Sequence, residues 1–110
     1  MEVRRGDLVT IALPGDYGKP RPALVVQDDA FRALESVTVL RLTSEVHAWP
    51  QFRVTVEPSA GNGLRKRSQV MVDKAVTVPR RRIGQRIGRL DEATLRTVGT
   101  TLTRFLGLPT

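Results

Sequence analysis

Arg21-Pro22-Ala23-Leu24-Val25-Val26-Gln27 is the stretch on which the fold class turns. Ala23 to Val26 is an unbroken apolar run, too short for a helix, and reads as a buried strand. Immediately before it, Pro14, Gly15, Asp16, Gly18, Lys19 and Pro20 make a loop. Before that loop, Asp7 to Leu13 reads as a first strand, with Leu8, Thr10 and Ala12 alternating against Val9, Ile11 and Leu13.

Downstream, Asp28 to Leu34 reads as a connecting turn or short helix. Ser36 to Thr43 is rich in β-branched residues, and Phe52 to Val56 alternates apolar residues with Arg53 and Thr55, so both are expected to be strands. Ala60-Gly61-Asn62-Gly63 is the strongest turn signal in the chain. Gln69 to Val72 and Ala75 to Val78 supply strand material beyond it, and Pro79 stops the run or starts a helical turn. The last segment changes period: Asp91 is a good N-cap, Glu92 adds a carboxylate to the first turn, and Leu95, Val98, Leu102, Phe105 and Leu106 follow at helical spacing before Gly107 and Pro109. That predicts one C-terminal amphipathic helix of about four turns. The expected fold is mostly β, a small β-barrel or strongly bent sheet with short helices and the C-terminal α-helix on one side.

The chain has 110 residues, 40% of them hydrophobic, with no linker or internal repeat, so a single domain over 1–110 is expected. A core of this size leaves much surface wet, which makes a second subunit plausible. No run of about 18 apolar residues could span a bilayer, and the charged start has no apolar stretch behind it, so a cytoplasmic protein away from membranes is expected. With no cysteine and one histidine, His47, sulfur-based zinc sites, thiolate nucleophiles and His-rich sites are excluded, and neither a metal nor another cofactor is expected.

A net charge of +7 favours a polyanionic partner. Nine of the 18 basic residues lie between Arg65 and Arg89: Arg65, Lys66, Arg67, Lys74, Arg80, Arg81, Arg82, Arg86 and Arg89, facing a single acid, Asp73. Arginine's planar fork matches phosphate oxygens and stacks on bases, so the cluster suits single-stranded RNA; a solvated loop or a docking surface for an acidic protein segment remains open beside that. A two-histidine ribonuclease mechanism cannot run with one histidine, and no spaced set of Asp and Glu suggests a two-metal site. RNA brings its own nucleophile, the 2′-hydroxyl, so arginine and threonine on rigid strands could supply much of what cleavage needs.

Arg5-Gly6-Asp7-Leu8-Val9, the Pro/Gly loop and then Arg21-Pro22-Ala23-Leu24-Val25-Val26-Gln27 resemble the opening of MazF/PemK (Kid) toxins. Val39-Leu40-Arg41-Leu42-Thr43-Ser44 looks like their third strand. Ser68 to Lys74, Ile87-Gly88-Arg89-Leu90-Asp91 and the closing helix follow in the same order, so the resemblance covers nearly the whole chain. It implies an SH3-like barrel with added helices, a homodimer, a cognate acidic antitoxin, and metal-independent cleavage of single-stranded mRNA to a 2′,3′-cyclic phosphate. By that likeness Arg21 stabilises the phosphorane and assists proton transfer, and Thr43 holds the scissile phosphate. Asp73 is a possible general base, but a buried or paired structural carboxylate is the favoured account of it.

RNA-contact candidates are Tyr17 and Lys19 in the first loop, Ser44 and His47 after the third strand, and Arg65, Lys66, Arg67, Lys74 and Arg80 in the basic stretch. Tyr17 could stack on a base or act as a packing lid. Trp49 and His47, in the turn after Thr43, could line the substrate groove, with packing or an interface the favoured role for Trp49. Non-enzymatic readings on the same barrel stay open: a gyrase-inhibitor-like toxin, disfavoured by the non-aromatic tail Leu106-Gly107-Leu108-Pro109-Thr110, or a basic RNA-binding adaptor.

Overall fold

The computed structural model describes residues 2–15 and 17–109; Asp16 of the expected loop lies outside them. Six strands, β1 (Asp7–Ile11), β2 (Arg21–Val25), β3 (Ser36–Thr43), β4 (Arg53–Val56), β5 (Ser68–Pro79) and β6 (Ile83–Arg89), precede one helix, α1 (Glu92–Phe105). Short 3-10 turns occupy Asp29–Phe31 and Arg80–Arg82. The strands form one antiparallel sheet in the order β4-β5-β3-β2-β1-β6. The fold is therefore mostly β with a C-terminal helix, as expected.

The sheet buries both faces, which is why β2 reads as a continuous apolar run rather than an alternation. Leu8, Leu24, Leu40 and Val70 point to one core cluster, capped by Leu95 and Val98 of α1. Their neighbours Val9, Ala23 and Val39 point to a second cluster with Val3, Val37, Val78 and Ile83. The sheet curls so that the β4–β5 loop reaches the opposite edge, where the Arg89 N–H donates to the Gly61 carbonyl at 2.8 Å.

Several boundaries differ from expectation. The first strand stops at Ile11 because Ile11 pairs with Arg21, where β2 begins. The two runs expected around Gln69 and Ala75 are one bent strand of 12 residues. Its pairing with β3 jumps from Leu40↔Ala75 to Leu42↔Val70, and the displaced residues include Val72, whose N–H reaches the Phe52 carbonyl at 3.0 Å. β6 carries no strand signal because two glycines and polar residues interrupt it, a composition tolerated on an edge strand.

The helix matches its expected caps. Asp91 accepts the Thr94 N–H at 3.0 Å. Gly107, at φ +68°, lets the Leu108 N–H return to the Thr103 carbonyl and its own N–H to Arg104, closing a Schellman motif. Among the described residues no helix is long and apolar enough to cross a membrane.

Candidate active site

A groove of about 910 Å³ opens where β2 begins and β3 ends. Arg21 and Pro22 enter it from β2, and Arg41, Leu42 and Thr43 from β3, followed by Ser44. The β2–β3 ladder brings the two strands together as far as Ala23, which faces Arg41; Arg21 lies two residues before Ala23 and Thr43 two residues after Arg41, so both stand at the end of that ladder. Both side chains line the same groove. The Thr43 Oγ1 accepts the Glu45 N–H at 3.1 Å, which leaves the hydroxyl proton to be donated into the groove.

Arg65 and Lys66 form the facing wall, delivered by the β4–β5 loop. That loop is braced by Asn62, whose Oδ1 accepts the N–H groups of Ser59 and Leu64, each at 3.0 Å, while its amide donates to the Glu57 carbonyl at 2.9 Å. At Gly63, φ is +69° and a Cβ would sit 2.0 Å from the Ile87 carbonyl oxygen, so only glycine lets the loop lie on β6. The titratable side chains that line the groove, among the described residues, are Arg21, Arg41, Arg65 and Lys66, all cationic. Such a surface attracts a phosphate chain.

Of the candidates read from sequence, Arg21, Thr43, Ser44, Arg65 and Lys66 come together here. The rest lie elsewhere. Tyr17 is 93% exposed at φ +53° on the first loop, and Lys19 is exposed beside it. His47 stacks on Trp49, ring centroids 4.0 Å apart, with its Nε2 at 3.3 Å from Glu45. Arg67 pairs with Glu57 at 2.9 Å.

Asp73 does not line the groove; it binds Arg53 at 3.0 and 3.4 Å and lies 3.8 Å from Lys74. Arg80 is a staple whose guanidinium donates to the carbonyls of Arg32 at 2.7 Å and Leu34 at 2.9 Å. The sequence reading missed Thr10, Arg41, Ser68, Met71, Gln85 and Ile87 as groove residues. Arg41 was reachable from strand alternation, since it and Thr43 are two apart on one strand. Gln85 and Ile87 were not, because β6 was not seen as a strand.

A second hollow, about 550 Å³, mixes the acids Glu2, Asp7 and Asp29 with Arg4, Arg86 and Arg89. Its charges largely satisfy one another: Asp7 is buried and pairs with Arg89 at 3.0 Å and Arg86 at 3.1 Å. Among the described residues no three His, Cys, Asp or Glu side chains are grouped so as to hold a metal ion.

Residues 4–106 match the family described as PemK-like, MazF-like toxin of type II toxin–antitoxin system. The chain is 44% identical over 107 residues to the probable endoribonuclease MazF of Mycolicibacterium smegmatis, covering 96% of this chain and 98% of that protein. It superposes on a mycobacterial endoribonuclease solved with its cognate antitoxin at TM-score 0.83 and 28% identity, over 98% of each chain. It also superposes on the Mycobacterium tuberculosis toxin MazF-mt6 at TM-score 0.81 and 27% identity, over 94% of this chain and 99% of that one.

Proposed function

The chain belongs to the PemK-like, MazF-like toxins of type II toxin–antitoxin systems, and on that premise we propose that it is an endoribonuclease that cuts single-stranded mRNA at a short sequence without a metal ion. The single observation that supports this reading is that Arg21 and Thr43 line one groove whose titratable side chains, among the described residues, are all cationic. The ribose 2′-oxygen attacks the adjacent phosphorus, the bond from phosphorus to the 5′-oxygen breaks, and the products are a 2′,3′-cyclic phosphate and a 5′-hydroxyl. Arg21 holds the charge that grows on the phosphorane oxygens, where a guanidinium fork acts most strongly in the transition state. Thr43 donates its proton to a non-bridging oxygen. The proton released by the 2′-hydroxyl passes to water in the open groove and one returns to the leaving 5′-oxygen, a relay that Arg21 assists.

Asp73, engaged by Arg53 outside the groove, serves better as a brace for β4 and β5 than as a base. Arg65, Lys66 and Ser44 grip the flanking backbone. The chain acts as one cytoplasmic toxin domain, as a homodimer, and an acidic antitoxin segment neutralises it by covering the same cations. Incubation of purified protein with a long mRNA in EDTA, followed by end mapping, tests this. Discrete cuts bearing 5′-hydroxyl ends, absent with Arg21→Ala, are expected; RNA left intact at high protein concentration, or cut only when a divalent ion is added, rejects it.

A further inference from the structure

β6 meets the groove where its pairing with β1 slips. Leu8 faces Gly88, Val9 faces Arg86 and Ile11 faces Ile83. Ile87 is thus an extra residue at the first slip, and Gly84 and Gln85 together oppose Thr10 at the second. Each slip is a β-bulge, which bends the strand and re-aims a side chain. Gln85 and Ile87 are the β6 side chains that line the groove, whereas Arg86 between them turns to Asp7 on the far side.

The second slip is held by close contact. A Cβ on Gly84 would lie 2.7 Å from the Thr10 Oγ1, and that oxygen accepts the Gln85 N–H at 3.0 Å in place of a ladder bond. The backbone at Gln85 is fixed, yet its carboxamide makes no hydrogen bond to any described residue. It is the one carboxamide on the groove wall among the described residues, and Ile87 and Met71 supply apolar surface nearby.

We infer that Gln85 selects the nucleobase beside the scissile phosphate; this rests on the nuclease reading above and names its base-selecting residue. The cations of the groove are fitted first to phosphate oxygens, which carry no sequence information. A carboxamide presents one donor beside one acceptor, and it pairs bidentately with a base edge offering the complement. Bases of single-stranded RNA expose those edges, and Ile87 and Met71 offer the base an apolar face to rest on.

A randomised RNA cut by wild-type and Gln85→Leu proteins, with all product ends sequenced, tests the assignment. At one position adjoining the cut the base preference falls by about ten-fold or more in Gln85→Leu, while preferences at other positions stay as in wild type. An unchanged profile overturns the assignment, as does a uniform loss of rate with the same profile; in both cases the nuclease reading stands. Wild-type protein that cuts none of the RNA overturns the nuclease reading, and base selection falls with it.

Discussion

Gln69 holds the peptide of His47 from both sides: its Oε1 accepts the His47 N–H at 3.0 Å and its Nε2 donates to the His47 carbonyl at 2.8 Å. A third bond, at 3.1 Å to the Thr55 hydroxyl, ties the same amide to β4. Gln69 is 3% exposed and faces Thr43 across β3 and β5, so the segment leaving the Thr43 hydroxyl is anchored a few residues on. Gln69→Leu leaves both groups of the His47 peptide without their partner. A stability loss of about 1–3 kcal/mol is expected in urea unfolding. Cleavage by the folded protein should fall in kcat more than KM rises, with Gln69→Glu, which keeps the acceptor, intermediate.

On the proposed reading, in which both side chains act on the additional charge that develops on the phosphorane, Arg21→Ala and Thr43→Ala should each lower kcat by about 100-fold or more with little change in unfolding midpoint. Arg21→Lys should recover little, since an ammonium cannot present the planar fork. Single-turnover cleavage of a short oligonucleotide measures this; Thr43→Ala at wild-type rate would remove that residue from the chemistry.

Gly63→Ala places a methyl group against the Ile87 carbonyl in a left-handed backbone. The loop must lift from β6, at a cost of at least about 2–3 kcal/mol. Because the loop ends in Arg65 and Lys66, RNA affinity should weaken along with stability, which filter binding beside thermal unfolding resolves.

Asp7→Ala leaves Arg86 and Arg89 without the carboxylate they share and frees the Arg4 N–H bound to it at 2.9 Å. Removing one partner of a buried pair costs about 3–5 kcal/mol; the two guanidiniums are 50% and 39% exposed, so a smaller loss, about 2 kcal/mol, is expected. The groove lies on other residues, so activity per folded molecule should persist.

The Asp91 carboxyl is held below its ordinary range by hydrogen bonds from the Thr94 side chain and then the Thr94 backbone N–H. A carboxyl with a lowered folded-state pKa stabilises the fold above its unfolded value, and the contribution disappears as pH falls through the folded value. Wild type should therefore exceed Asp91→Ala in stability near neutrality, and the gap should close on acidification below about pH 4. Urea midpoints taken across that range check the sign.

What the chain made legible follows from where each signal is stored. The 23–26 run and the Asp91-capped helix are local patterns, and the structure has both. Arg21 and Thr43 stand out by family likeness, but that they line one groove depends on how the sheet brings the start of β2 to the end of β3, which no local pattern encodes. Arg80 stands out in the sequence for its charge, yet its partners are backbone carbonyls 46 and 48 residues away, which composition does not encode. Asp73 reads in the sequence as a possible base with a structural carboxylate favoured over it, and the Arg53 that pairs with it lies on a different strand, which the sequence does not reveal. β6 was hidden because an edge strand with two bulges needs neither alternation nor β-branched residues, and Gln85 was hidden with it.

Those bulges have a consequence away from the groove. β6 ends the sheet on one side, and a straight terminal strand would offer an open row of amides and carbonyls to any extended chain it met. Two skipped pairings contort that row, and the loop lying across it at Gly61 and Gly63 covers part of it. An edge so bent and partly covered is a poor template for an added strand, so the last strand of the sheet closes it rather than extends it.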